Sequence, residues 1–336
     1  MRSDIEGKDN SSEDKSNYKI VRSGDMVYNS MRMWQGANGI SPWDGIVSPA
    51  YTVLKPRFPL SNEFFAALFK TYRLINEFRK NSQGMTSDTW NLKYLQIETI
   101  KTFIPSLPEQ ERVAAFLTAL DQRIEKQREL IEHLKKYKRG LSESIFSTLS
   151  CPTQELSDVC NIVGGGTPDT GILEYWNGDI SWFTPTEVGK KKYVISSSRK
   201  ITEEGLCKSS AKILPPDTVL LTSRATLGEM SLTTATCCTN QGFQSLVAKK
   251  DVVLPEYLYY LQTIIKPWCE KYSSGNTFRE ISKKALGKCT IPVPSIMKQK
   301  YIVDCLSLID SKIEKSESVL EKLLRLKSAL LQQLYI

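Results

Sequence analysis

The phrase DQRIEK, residues 121–126, recurs as DSKIEK, residues 310–315, at an offset of 189 positions. A repeat governs the fold before any single motif does. The match extends both ways: Leu120 falls on Ile309, Ile124 on Ile313, Ile131 on Leu320, Leu134 on Leu323 and Leu141 on Leu330. Upstream, with small insertions, TFIPSLPEQERVAAFL lies on CTIPVPSIMKQKYIVDCL, and SGDMVYNSMRM lies on PPDTVLLTSRA. The chain reads as a tandem duplication.

Apolar residues spaced alternately three and four apart lay one narrow stripe along a helix. In the first copy the a positions are Leu117, Ile124, Ile131, Lys138 and Ile145, and the d positions are Leu120, Gln127, Leu134, Leu141 and Thr148. In the second, Leu306, Ile313, Leu320, Lys327 and Leu334 face Ile309, Ser316, Leu323 and Leu330. The polar interruptions coincide, Lys138 with Lys327 and Gln127 with Ser316. Pro105 and Pro108 precede one helix and Pro292 and Pro294 the other, where proline is tolerated because the first amides have no intrahelical partner. Roughly forty residues would make a rod about 60 Å long. One such helix would read equally well as the core helix of a compact domain. Two matched copies, with Arg123, Glu125, Lys126, Arg128 and Glu129 leaving only the seam apolar, predict two rods packed antiparallel about a pseudo-two-fold axis. The charges of the repeated phrase are expected to flank that seam in solvent.

The formal charge of +8 suits a polyanionic partner without establishing one, because the Lys and Arg are spread widely. Runs such as Lys190-Lys191-Lys192, Lys249-Lys250 and Lys283-Lys284 read more readily as solvated faces than as phosphate sites. No apolar run is long enough to cross a bilayer, and the polar start MRSDIEGKDNSSEDKSN has no signal-peptide core, so a cytoplasmic location is expected. The eight cysteines, from Cys151 onward, form no CxxC pair and read as reduced structural thiols. The single histidine, His133, lies among charged residues of the first rod. That count removes most acid-base, zinc and triad mechanisms.

A phosphate-cradling loop needs G-x-x-x-x-G-K-[ST] after a strand; GGGTPDTG, residues 164–171, lacks the lysine. Asp169, Glu187 and Lys190 suggest a metal-dependent nuclease, but EVGK puts two residues between acid and base where such sites usually have one. No Asn-Pro-Pro or Asp-Pro-Pro motif of the adenine methyltransferases occurs. Several catalytic classes fail together, which favours a non-catalytic recognition subunit.

From Tyr18 onward the sequence resembles the specificity (S) subunits of type I restriction-modification systems. The matching stretches are GGGTPDT (164–170), DISWFTPTEV (179–188), LPPDTVLLTSRATLGEMSL (214–232), TNQGFQSL (239–246) and SSGNTFREIS (273–282). SGDMVYNSMRMWQGANGISPWDGIVSPAYTVLKP (23–56) is similar to another variant of the same recognition domain, and the first rod is similar to the family's spacer helix. Singly these motifs are soft; their order, twice over, is specific. The resemblance implies a mixed α/β protein with two target-recognition domains separated by two long antiparallel helices forming a coiled coil. It implies a subunit that reads a two-part site in double-stranded DNA and docks two methyltransferase subunits and the restriction subunits. S-adenosylmethionine, ATP and Mg would be bound by those partners and none by this chain. The competing reading is a coiled-coil interaction or scaffold protein, or an inactive recombination cassette, that reads no DNA.

Base reading needs donors and acceptors at base edges, Arg for guanine and Asn or Gln for adenine, while Lys, Ser, Thr and backbone amides fix phosphates. In the second domain the candidates are Thr167, Ser223, Arg224, Asn240, Gln241, Asn276, Thr277 and Arg279. The same residue types also form turns and caps for local backbone reasons. For Thr167 and Asn240, which match recurrent family motifs, turn chemistry is the better reading; Arg224 and Arg279 are the stronger base-reading candidates. In the first domain Asn29, Arg32 and Gln35 sit in an equivalent loop beside Trp34, read as a core or rim aromatic.

Two aromatic-rich helices precede the conserved turns, over 60–80 and 254–272, and both read as core; Pro267 is expected to kink or end the second. The expected layout is a disordered polar tail over 1–17, a partial target-recognition domain over 18–104, a spacer helix over 105–150, a second recognition domain over 151–290 and a second spacer helix over 291–336. The first domain is called partial because the counterpart of GGGTPDT…DISWFTPTEV has no match ahead of Asp25. Three accounts stay open at this point: a shortened reading frame, a recombination cassette, or a missing portion supplied by another chain.

Overall fold

The computed structural model describes residues 14–86, 90–275 and 279–333. Most of the expected tail, and Leu334 of the seam, lie outside them. The chain forms two compact units, one of residues 1–131 and 316–336 and the other of residues 132–315. Each unit therefore takes part of both long helices.

In chain order the first unit contains β1 (Lys19–Val21), β2 (Met26–Asn29), β3 (Asn38–Ile40), β4 (Gly45–Val47), β5 (Tyr51–Leu54), α1 (Asn62–Leu68), α2 (Tyr72–Asn81), α3 (Tyr94–Ile97) and the start of α4 (Leu107–Thr148). β2 lies between β3 and β5, and β1 pairs with β4, all antiparallel. Ser61 starts α1 by accepting the Phe64 N–H at 3.1 Å, which satisfies one of the free first-turn donors. The helix can then turn Phe64 and Leu68 inward onto Met26, Tyr28 and Met33, with Leu74 and Phe78 of α2 completing the core.

The second unit adds β6 (Thr153–Glu155), α5 (Leu156–Val159), β7 (Cys160–Gly164), β8 (Trp176–Phe183), β9 (Tyr193–Val194), β10 (Arg199–Ile201), α6 (Glu203–Cys207), β11 (Val219–Leu221), β12 (Met230–Thr233), β13 (Cys237–Thr239) and β14 (Gln244–Ala248). After them come α7 (Pro255–Tyr260), α8 (Gln262–Tyr272), α9 (Lys283–Gly287), β15 (Thr290–Pro292) and α10 (Ile296–Gln333). One sheet runs β7-β14-β11-β12-β9 and a second β10-β8-β13, with β8 and β13 parallel; β15 pairs with β6. The main core joins Val219, Leu221 and Leu246 of the larger sheet to Tyr257, Leu258 and Ile265, and to Phe146 and Leu306 of the long helices.

Pro267 neither ends nor interrupts its helix. α8 runs through it to Tyr272, and the break lies earlier, at Leu261 between α7 and α8. The structure also moves the repeat alignment by one residue. Gly24 and Asp217, both at positive φ (87° and 64°), donate their N–H groups to Ser41 and Thr233 at 2.8 Å. Ser30 and Ser223 likewise both donate to the facing strand, at Ala50 and Gly242, and both accept from the segment after α2 or α8, at Leu92 and Ile281. Asp217 therefore matches Gly24 rather than Asp25, and Arg32 falls one place beyond Arg224.

The predicted seam positions Leu117, Leu120, Ile124, Ile131, Leu306, Ile309 and Ile313 are buried. Leu134, Leu141, Leu320, Leu323 and Leu330 are half-buried. In the first unit Gln127 Nε2 donates to the Ser316 carbonyl at 3.0 Å and Lys327 pairs with Asp121, so there the helices run antiparallel. In the second unit Lys138 Nζ meets Asp310 Oδ1 at 2.5 Å. The aspartates that open DQRIEK and DSKIEK are thus not simply solvated: each bonds the seam lysine of the opposing helix. A buried glutamine sits near the start of each rod. Gln110 accepts the Ser61 N–H and donates to the Pro105 carbonyl; Gln299 accepts the Leu254 N–H and donates to the carbonyls of Val252 and Pro294.

Candidate nucleic-acid interface

In the second unit, loops distant in sequence converge at one end of the sheets. The glycine-rich stretch after β7 is held by packing. A Cβ on Gly165 would fall 2.0 Å from the Asn240 carbonyl oxygen, and one on Gly166 would fall 2.3 Å from the Ala211 nitrogen. Only a residue without a side chain lets this strand-to-loop passage lie flat against the end of β13. Gly166 donates its N–H to Thr239 O at 2.9 Å, and the indoles of Trp182 and Trp176 hold the loop through Gly166 O and Asp169 O.

On this support Thr167 donates its hydroxyl to Gln241 Oε1, which places the two side chains on one surface. Asn240 Oδ1 accepts the Gly242 N–H at 2.9 Å, an Asx-type turn bond, so its side chain shapes its own loop. Arg224 lies half-buried alongside; its Nε is 3.4 Å from where a Gly242 Cβ would stand, and its backbone bridges Glu280. Ser223 is fully buried and works through its backbone, continuing the β11 pairing. Arg279 is exposed and donates Nη2 to Glu270 O at the end of α8, beside a groove shared with Thr226, Glu229 and Lys266. Asn276 and Thr277 lie outside the described residues.

In the first unit Asn29 Oδ1 accepts the Met31 N–H at 3.0 Å and its backbone carbonyl accepts from Arg32, closing the turn that leaves Arg32 and Gln35 exposed. Trp34 packs edge-on against Trp90 at 5.2 Å with the Arg79 guanidinium 5.7 Å from its ring, a rim position.

The acidic residues considered for catalysis have structural partners. Glu187 accepts from the N–H and hydroxyl of both Thr184 and Ser198, at 2.7–2.9 Å. Burial opposes its ionisation, but those four donors outweigh it and hold the carboxyl below its usual range. Asp169 Oδ1 accepts the Gly171 N–H. The eight cysteines are free thiols; burial pushes those of Cys160, Cys238, Cys269 and Cys289 up to about 12 and that of Cys237 to about 11. Such thiols are poor nucleophiles.

The sequence signal missed Lys192, grouped there with its solvated neighbours. Lys190 and Lys191 are exposed, but Lys192 is buried and donates to Tyr260 OH at 2.9 Å; Tyr260 OH in turn donates to Asp310 Oδ2 at 2.6 Å, beside Lys138. The loop before β9 is thereby tied through α7 to both long helices.

The family model for the type I restriction modification DNA specificity domain matches residues 6–136 and again 152–325. The chain belongs to this type I restriction-modification specificity family. Among similar proteins, the type I restriction enzyme MjaIX specificity subunit of Methanocaldococcus jannaschii is 38% identical over 177 residues, 51% of this chain and 41% of that protein. The EcoR124I/EcoR124II specificity subunit of Escherichia coli is 28% identical over 166 residues, 46% of this chain and 40% of that protein. These matches thus span less than half of each relative. A chain solved in work on complex assembly and conformational transition of the type I R-M system shares the fold, with a TM-score of 0.64 at 23% identity over 95% of this chain and 83% of that one. So does the HsdS subunit from Thermoanaerobacter tengcongensis, with a TM-score of 0.51 at 22% identity over 95% and 82%. The two matched stretches of the specificity family fall on the two copies of the repeat.

Proposed function

We propose that this chain is the DNA sequence-specificity subunit of a type I restriction-modification assembly. The observation that carries the reading is the convergence of Thr167, Gln241, Asn240 and Arg224 on one loop surface in a member of the specificity family. The chemistry divides the labour. Arg224, Arg279 and Gln241 suit base edges, while Thr167, Asn240 and the loop amides suit phosphate contacts or loop shape. Asn29, Arg32 and Gln35 are the corresponding candidates in the first unit. Each recognition domain reads one part of a bipartite site in double-stranded DNA.

The chain supplies recognition rather than catalysis. Methyl transfer and cleavage, with S-adenosylmethionine, ATP and Mg, belong to two methyltransferase subunits and the restriction subunits docked on it. Among the described residues no helix is long and apolar enough to cross a membrane, which fits work on cytoplasmic DNA. Footprinting the assembly on genomic fragments tests the proposal. Two protected stretches separated by an unprotected gap, lost steeply as salt rises, are expected. Uniform or absent protection would favour a scaffold that reads no DNA.

A further inference from the structure

The two units differ in what borders their matching strands. In the second unit β14 pairs with β11 on one side and β7 on the other, and β13 lies beside β8. In the first unit their counterparts are β5 and β4. β5 pairs with β2 and β4 with β1, and among the described residues neither carries a strand on its other edge. The burial contrast follows. Cys238 is fully buried in a cluster with Trp176 and Trp182 of β8, whereas its counterpart Ile46 is 51% exposed, with Trp43 nearby in sequence at 69%. At the end of β5, Lys19 Nζ holds the carbonyls of Tyr51 and Pro49, at 2.6 and 3.3 Å. A lysine is a common guard on an open strand edge. In the second unit the corresponding segment, Gln241 to Phe243, is covered by the glycine-rich loop.

The geometry points to a docking site: the free edges of β4 and β5 accept an extended segment of a second polypeptide built like residues 160–183. Its first strand adds antiparallel to β5 as β7 does to β14. A glycine-rich passage follows. Its second strand adds parallel to β4 as β8 does to β13, laying a tryptophan-bearing face over Ile46. The internal repeat supplies the occupant's chemistry, because the second unit holds that same segment on the same two edges. Main-chain hydrogen bonds provide the attachment and the aromatic face the selectivity. The segment displaces the Lys19 ammonium from the two carbonyls it caps.

Amide hydrogen exchange on the purified full chain, with and without a synthetic peptide of residues 156–188, tests this. The peptide-free chain is expected to exchange rapidly at β4 and β5 and slowly at β13 and β14. Saturating peptide is expected to slow β4 and β5 about ten-fold or more while β13 and β14 hold steady. Ile46→Lys, a change at an exposed position, is expected to abolish the slowing. No effect of peptide at β4 and β5 would overturn the proposal, as would slowing that persists in the Ile46→Lys chain. Protection of both strands already equal to β13 and β14 in the peptide-free chain, whether monomeric or paired with a second copy, would overturn it too.

Discussion

Asp121 and Asp310 hold the same place in the repeat but different surroundings. Asp310 and Lys138 are 14% and 25% exposed, and the carboxylate also accepts from Tyr260, which receives Lys192. Asp121 and Lys327 are 53% and 29% exposed. Removing one partner of a buried pair strands the other charges, so Asp310→Ala is expected to cost about 3–5 kcal/mol. Asp121→Ala is expected to cost less than about 1 kcal/mol, as for exposed pairs. Urea unfolding of both variants checks this, and equal losses would contradict it. Glu187 gives a pH prediction. Its folded-state pKa is depressed, so its contribution is fully present above the ordinary value of 4.5 and is lost as pH falls through the folded value. The melting-temperature gap between wild type and Glu187→Gln should therefore close below pH 4.5; a gap independent of pH would refute the assignment.

At the scale of elements, the long helices were legible because a narrow apolar stripe at heptad spacing has few alternative readings. The strands were less so. Several are three residues long, and a one-residue shift at the Gly24 and Asp217 turns moved the match of Arg32. Pro267 is a visible helix breaker, expected to kink or end the helix over 254–272, whereas no residue type at Leu261 marks the boundary that does occur there. Asn240 had turn chemistry written in its residue type, whereas the bond from Thr167 to Gln241 joins residues 74 positions apart. Ser223 had no such local signal, since its burial follows from a strand pairing that local sequence does not encode. The tie from Lys192 through Tyr260 to Asp310 joins residues remote in sequence. Gln110 and Gln299, by contrast, were findable, because they match at the same offset of 189 as the opening phrase. Gln299 makes three bonds in a fully buried site, so Gln299→Leu is expected to destabilise the second unit by more than about 2 kcal/mol. Amide exchange at β15 and α7 would report it; unchanged exchange there would show the glutamine to be dispensable.

At the scale of the whole molecule, the repeat gives two units built on one hydrogen-bonding scheme and members of one specificity family. The second surrounds its matching strands on both sides, while the first leaves two edges without a strand among the described residues. Under the proposed function, this chain sets which DNA sequence its assembly marks. The most direct measurement is base-resolution mapping of adenine methylation in cells that express the chain with methyltransferase partner subunits. A single bipartite motif is expected, absent without the chain, with one part relaxed or altered by Arg224→Ala and Gln241→Ala while the other stays fixed. Methylation by the chain alone, or a motif indifferent to those substitutions and to the chain itself, would contradict the account.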